Sequence, residues 1–130
     1  MIKRTIDIDG YWKVIVYYNV NYNFFDVIVN DLKSIDISNK TINNVYNNMS
    51  KGYAKGVTIT SIYYKTSVVL FNKHKTYYDY INTIVHEAEH VKQAMLKAYR
   101  VNDEGEAPAY TIGFLVMKML VLKIVMKLKS

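Results

Sequence analysis

Two histidines four residues apart, with a glutamate beside the first, are the residues of this sequence best suited to chemistry. The segment reads His86-Glu87-Ala88-Glu89-His90. Residues four apart on a helix lie one turn above each other, so both imidazoles can reach one tetrahedral zinc ion at about 2.0–2.1 Å. Glu87 lies about 100° further round the helix, where it can reach a water on the metal without binding the metal. We therefore predict that His86 and His90 bind zinc and that Glu87 is a general base.

A catalytic zinc site of this kind needs a third protein ligand and keeps its fourth position for water. The sequence contains no cysteine, and no histidine follows His90. The third ligand is therefore a carboxylate or an upstream residue, and the downstream candidates are Asp103, Glu104 and Glu106. We favour Glu106, because it opens the last predicted helix and can point back across the loop towards the histidine helix.

Tyr110 is a candidate catalytic residue. It lies four residues after Glu106 and therefore on the same side of the final predicted helix. Its phenol could donate a hydrogen bond to an oxyanion, a role worth about 3 kcal/mol in enzymes from which such donors have been removed. The alternative is a core tyrosine whose hydroxyl bonds to a neighbour.

The helix that must carry the histidines is predicted over about 78–99, a stretch without glycine or proline. Its apolar residues and its histidines fall on nearly opposite sides of the helical wheel, with Ile84, Ala88, Val91 and Met95 on one side and His86, His90 and Gln93 on the other. The helix can therefore pack on a sheet through one face and present both histidines to a cleft.

Strands are predicted over 11–20 and 24–30, joined by a short turn, and one or two more over 57–71. Ser38 begins a short capped helix, and a final helix begins near Glu106. We expect an α+β fold in which a small, mostly antiparallel sheet packs against the histidine helix and the C-terminal helix. At 130 residues the chain is expected to form one domain.

Composition narrows the classes of function. Hydrophobic residues make up 51% of the chain and charged residues 22%, as in ordinary globular proteins. The net charge is +6, but 15 of the 17 basic residues are scattered lysines, so nucleic-acid binding is not expected. The absence of cysteine excludes disulfides, iron–sulfur clusters and thiol nucleophiles.

The expected location is the cytoplasm. The first residues reach Asp7 before any apolar run develops, which argues against a secretory signal. The longest uncharged run of the final helix, 107–117, is shorter than the roughly 20 residues of a membrane span, so no transmembrane segment is expected.

The histidine motif, followed by a glutamate on a later helix, resembles the gluzincin branch of the zincin metallopeptidases. The segment 104–110, Glu-Gly-Glu-Ala-Pro-Ala-Tyr, is similar to a Glu-x-x-Ala-Tyr element of small, uncharacterised zincin-like proteins from gut bacteria and their phages. The resemblance covers about 57–115. It implies that Glu106 is the third ligand and Glu87 the base. The chain departs from larger gluzincins in having only fifteen residues between His90 and Glu106 and no second catalytic histidine downstream.

We therefore expect a zinc-dependent metallopeptidase that hydrolyses a peptide or protein substrate. In zincin-like folds the strand beside the cleft can pair with an extended substrate, and the strand 68–71 is either such an edge strand or a central one. Two alternatives stay open: a zinc-binding scaffold or interaction module without catalysis, and a final helix that binds a membrane surface or a partner. No oligomeric state is predicted.

Overall fold

A four-stranded mixed sheet and four α-helices make up the described part of the chain, which in this computed structural model comprises the backbone of residues 1–129 and the side chains of residues 1–120. The strands are β1 (Ile2–Ile8), β2 (Trp12–Tyr18), β3 (Gly56–Ser61) and β4 (Thr66–Phe71). The helices are α1 (Phe25–Ser34), α2 (Asn39–Ser50), α3 (Tyr77–Ala98) and α4 (Glu106–Lys129), and a short 3-10 turn over Tyr22–Phe24 precedes α1.

The strand order β1-β2-β4-β3 places β1 and β3 at the two edges of the sheet. Two of the three pairings are antiparallel, whereas the central strands β2 and β4 run parallel, with Lys13 opposite Thr66 and Tyr17 opposite Leu70. The parallel pair requires a crossover connection, and α1, α2 and β3 supply it. The α+β expectation is confirmed, and the sheet, expected to be mostly antiparallel, is a mixed one with a single parallel pairing.

Helices cover both faces of the sheet. Because side chains alternate along a strand, β2 and β4 contribute to two cores at once and are almost continuously apolar. One core joins these strands to α3 and α4 through Val16, Tyr18, Phe71, Ile84, Ala88, Leu115 and Met119. The other joins them to α1 and α2 through Tyr17, Leu70, Ile28, Leu32, Ile42 and Met49. The histidine helix therefore lies directly on the sheet.

The strand predicted over 24–30 is wrong, because this segment begins α1. Its β-branched residues suggested a strand, but Phe25, Ile28 and Leu32 follow a spacing of three and four and bury one side of a helix. The hairpin partner of β2 is β1, which the sequence prediction missed. Ile6 of β1 is buried, and Ile2 and Ile8 on the same face are partly buried against the same core, so the strand has an alternating apolar pattern that the prediction overlooked.

The remaining helix predictions are confirmed. The Ser38 hydroxyl caps α2 by accepting a hydrogen bond from the Thr41 amide at 3.2 Å, and the Thr76 hydroxyl caps α3 in the same way. The segment 57–71 contains two strands, and α4 begins at Glu106. No helix in the described residues is long and apolar enough to cross a membrane.

A buried chain of polar groups ties β2, β4 and β3 together. The Trp12 indole donates to the Ser67 hydroxyl at 3.0 Å, and that hydroxyl is 2.7 Å from the hydroxyl of Thr60. Ser67 is fully buried. Since water cannot replace a lost partner there, this serine satisfies groups on two neighbouring strands.

We predict that Ser67→Ala lowers the free energy of unfolding by about 1–3 kcal/mol, because it deprives a buried indole N–H of its acceptor. Urea unfolding followed by the fluorescence of the single tryptophan measures this change. Ser50→Ala, at an exposed serine, is the control and should change stability by less than about 0.5 kcal/mol. Equal midpoints for the two variants would contradict the prediction.

Candidate metal centre

One face of α3 packs against the sheet, and the opposite face carries the two histidines. Ile84, Ala88 and Val91 are fully buried against the sheet, whereas His86 and His90 are exposed on the opposite side. The opposite-face arrangement predicted from the helical wheel is therefore confirmed. The histidines extend from a helix whose position is determined by core packing.

The imidazoles of His86 and His90 converge. Their Nε2 atoms are 3.2 Å apart, and the ring centroids are 4.8 Å apart with the planes at 80°. Two nitrogens bound to one zinc ion at 2.0–2.1 Å and at the tetrahedral angle lie about 3.3–3.4 Å apart. The pair is therefore already close to the spacing that a shared tetrahedral ion requires.

The Glu87 carboxylate lies beside this pair but in a different environment. Glu87 is 3% exposed, although both neighbouring histidines are open to solvent. The Thr58 hydroxyl donates to its Oε1 at 3.0 Å, and its Oε2 is 4.0 Å from Nε2 of His86. One oxygen is therefore bonded to β3, while the other lies on the histidine side.

Among the described side chains, those with potential metal-ligand atoms within 4.8 Å of one another are His86, Glu87 and His90. Glu106 lies outside this group. It is exposed at the first position of α4, and Tyr110 is 75% exposed one turn later. Both lie on the side of α4 away from its buried residues Leu115 and Met119. Their roles as third ligand and oxyanion donor stay predictions.

The loop before α4 is held against α3 by a buried lysine. The Lys92 ammonium is 2.7 Å from a Glu89 oxygen and 2.9 Å from an Asp103 oxygen. Hydrogen bonds to Glu89 and then to Asp103 raise the pKa of Lys92 above its usual value. Asp103 is thus engaged in an ion pair, whereas Glu104 is exposed. The pair places the start of α4 near the second half of α3.

Gly56 allows β3 to approach α3 closely enough for the hydrogen bond between Thr58 and Glu87. A Cβ atom on Gly56 would lie 2.8 Å from the Thr83 methyl carbon and 3.2 Å from Cγ of Glu87. The Thr83 hydroxyl in turn is 2.8 Å from Nε2 of His74. His74, in the loop before α3, is therefore partly buried against that helix.

An open groove of about 410 Å³ lies between the start of β3 and the first half of α3. The residues that line it are Ala54, Lys55, Gly56, Asp79, Asn82, Thr83, His86 and Glu87. Lys55 and Asp79 form an ion pair at 3.7 Å across it. The groove is therefore lined by His86, a candidate metal ligand, and by Glu87 beside it.

The strand beside the groove is β3, at the edge of the sheet, and β4 is central. The sequence left open whether the strand 68–71 is an edge or a central strand, and the structure shows that it is central.

The hydrogen-bonding pattern of β3 shows which of its main-chain groups are free. The Lys55 carbonyl accepts from the Asn72 amide at 3.0 Å. Since bonded pairs alternate in an antiparallel ladder, Val57 bonds to β4, while the main-chain groups of Gly56 and Thr58 face the free edge.

Sequence reasoning did not identify Thr58 or Gly56 as parts of the site. A glycine at the start of a strand is a recognised sign of close backbone approach, so Gly56 carried a usable signal. Thr58 carried none, because its role depends on the side of β3 that meets α3.

We predict that Gly56→Ala lowers the free energy of unfolding by about 1–3 kcal/mol, because its methyl group would overpack Thr83 and Glu87. Thermal or urea unfolding measures the change. The matched control is Gly113→Ala, at an exposed helical position with no atom within 4 Å of the added Cβ. That control should be neutral or stabilising by up to about 1 kcal/mol. Equal stability of the two variants would contradict the close approach.

Comparison with known proteins yields no family assignment: the chain matches no protein-family model, no curated protein and no solved structure.

Proposed function

We propose that this chain is a zinc-dependent metallopeptidase with a zincin-like arrangement of its site. The observation that carries the proposal is the 3.2 Å separation of the His86 and His90 Nε2 atoms beside the Oε2 atom of Glu87. Two imidazoles supply a donor set that zinc favours, and an adjacent carboxylate supplies a base. The sequence motif and the geometry of the side chains support the same assignment.

His86 and His90 would hold the metal, and Glu106 is the proposed third ligand. The choice rests on the sequence pattern, in which Glu106 follows the histidine pair at the start of the next helix. Glu104 is the nearest alternative. A bound zinc ion would supply Lewis acidity, lowering the pKa of a water and polarising a peptide carbonyl.

Glu87 is the proposed general base. Oε2, 4.0 Å from Nε2 of His86, would accept a proton from the attacking water, and the same carboxyl group would then deliver it to the leaving nitrogen. Its burial excludes bulk water from the carboxylate. Glu87 is therefore placed to exchange protons with reacting groups rather than with solvent.

The proposed substrate is an extended peptide that lies along β3. The main-chain groups of Gly56 and Thr58 face the free edge, and strand addition at such an edge gives main-chain hydrogen bonds to any sequence. The groove beside Gly56 would receive a substrate side chain, with Lys55 and Asp79 at its border. Tyr110 remains the proposed oxyanion donor.

A zinc-binding scaffold without catalysis is the second candidate. It is favoured by the positions of Glu106 and Tyr110, which lie outside the group formed by the histidines and Glu87. In this alternative Glu87 itself would be a metal ligand, and the ion would strengthen the association of α3 with β3. The two candidates assign different roles to Glu87, which makes this residue the critical test.

We predict about one equivalent of zinc in the purified wild-type protein, measured by elemental analysis, since three protein ligands make a high-affinity site. His90→Ala and Glu106→Ala should both lower the zinc content. Gln93→Ala, on the same exposed face of α3, is the control and should retain it. Zinc retained by Glu106→Ala alone would move the third ligand to Glu104, Asp103 or an upstream residue, and a wild type that takes up no zinc would exclude the site.

We predict that Glu87→Gln keeps its zinc but lowers hydrolysis of fluorescein-labelled casein by about 10²-fold or more, because the amide cannot accept a proton. Zinc content and initial rates are measured on the same preparation. Asp26→Asn, at an exposed carboxylate of α1 on the other side of the sheet, is the control and should keep both. Loss of zinc from Glu87→Gln would support the scaffold, in which this carboxylate is a ligand.

A further inference from the structure

We propose that Thr58 is the positioning residue for Glu87: its hydroxyl fixes one carboxylate oxygen so that the other is directed at the reacting water. The inference rests on the proposed function, because it assumes that Glu87 is the base. It assigns a role in the reaction to the edge strand, which otherwise would only bind substrate.

The hydrogen bond distinguishes the two oxygens of Glu87. The Thr58 hydroxyl is 3.0 Å from Oε1 and 3.4 Å from the Glu87 carbonyl oxygen, so the carboxylate is its nearer acceptor. Oε2 is 4.0 Å from Nε2 of His86. The terminal torsion of a glutamate is broad and roughly two-fold, so a partner on one oxygen is needed to hold the carboxylate plane in one orientation.

Thr58 is itself held firmly. It is partly buried, and its β-branched side chain has restricted rotamers. The next residue, Ile59, is buried in the core on the opposite face of the sheet. Because neighbouring strand residues point to opposite faces, this anchor keeps the Thr58 hydroxyl on the α3 side.

Thr58 also connects the base to the substrate-binding edge. Its main-chain N–H and C=O face the free edge of β3, where an extended peptide would pair. The residue that would bond to the substrate main chain is therefore the residue that orients Glu87. A peptide in register with Thr58 would have a fixed position relative to Oε2, which would direct the base to one peptide bond of the bound strand.

The expected defect of Thr58→Val is specific. Valine keeps the shape and the β-branch but lacks the donor, so metal binding by the histidines and docking of substrate on the main chain should remain. The carboxylate would lose its orientation. We therefore expect a lower kcat for casein hydrolysis, an unchanged KM, and recovery in Thr58→Ser, which restores the hydroxyl.

A second readout does not depend on turnover. Acetohydroxamic acid binds a metal site through its two oxygens, and its hydroxyl proton passes to a neighbouring base. Its affinity for the full-length protein loaded with Co²⁺, followed by visible absorbance, therefore reports the availability of the Glu87 carboxylate. Glu87→Gln is the reference for complete loss of the base, and Thr5→Val, at an exposed threonine on the opposite edge strand, is the matched control.

We expect Thr58→Val to bind one equivalent of Co²⁺ and to lose about 10- to 100-fold in affinity for acetohydroxamate, as one hydrogen bond to a charged group is worth. Thr58→Ser and Thr5→Val should match the wild type. If Thr58→Val kept wild-type affinity for acetohydroxamate while Glu87→Gln bound it more weakly, the role of Thr58 would be overturned and the proposed function would stand. Loss of Co²⁺ from Thr58→Val, or failure of Thr58→Ser to recover, would overturn that role too. A wild type without Co²⁺ or acetohydroxamate binding would overturn the proposed function itself.

Discussion

The contact between the edge strand β3 and helix α3 is the constraint on which the candidate site depends. Gly56 brings the two backbones together, and the Thr58 hydroxyl bonds to Glu87 across the gap. A carboxylate in this position is shielded from solvent although the histidine beside it in the sequence is exposed. Without this contact Glu87 would be a solvated side chain beside two histidines, and the site would lose the difference in environment between the carboxylate and the two imidazoles.

The rest of the fold serves to hold α3 in that position. Ile84, Ala88 and Val91 are buried against the central strands, so core packing sets the rotation of the helix about its axis. That rotation leaves His86 and His90 in solvent and turns Glu87 towards β3. Because the histidine side of α3 contributes nothing to the core, the two imidazoles need not compete with packing for their orientation.

The histidine pair and its helix could be predicted from the sequence because both depend on spacing along one element. The four-residue interval and the apolar stripe of α3 are local properties, and the structure retains them. The role of Thr58 depends on the pairing of β3 with β4 and on the face that meets α3, which no local pattern encodes. In α1, β-branched residues favoured a strand, but burial of Phe25 and Ile28 at helical spacing determined the outcome. The missed strand β1 had its own signal in the Asp9-Gly10 dipeptide, which favours a tight hairpin turn. Both residues adopt positive φ in the turn to β2.

The parallel pairing of β2 and β4 has a consequence for the order in which the molecule assembles. Val16 and Val69 are neighbours in the sheet, although more than fifty residues separate them. The β3–β4 hairpin and α3 instead follow one another directly along the chain, and the Thr58–Glu87 hydrogen bond and the close approach of Gly56 to α3 both lie within residues 56–90. Contacts that close a long loop form more slowly than local contacts. Local contacts within each hairpin are therefore expected to form before the parallel pairing of β2 with β4 joins the two parts of the sheet.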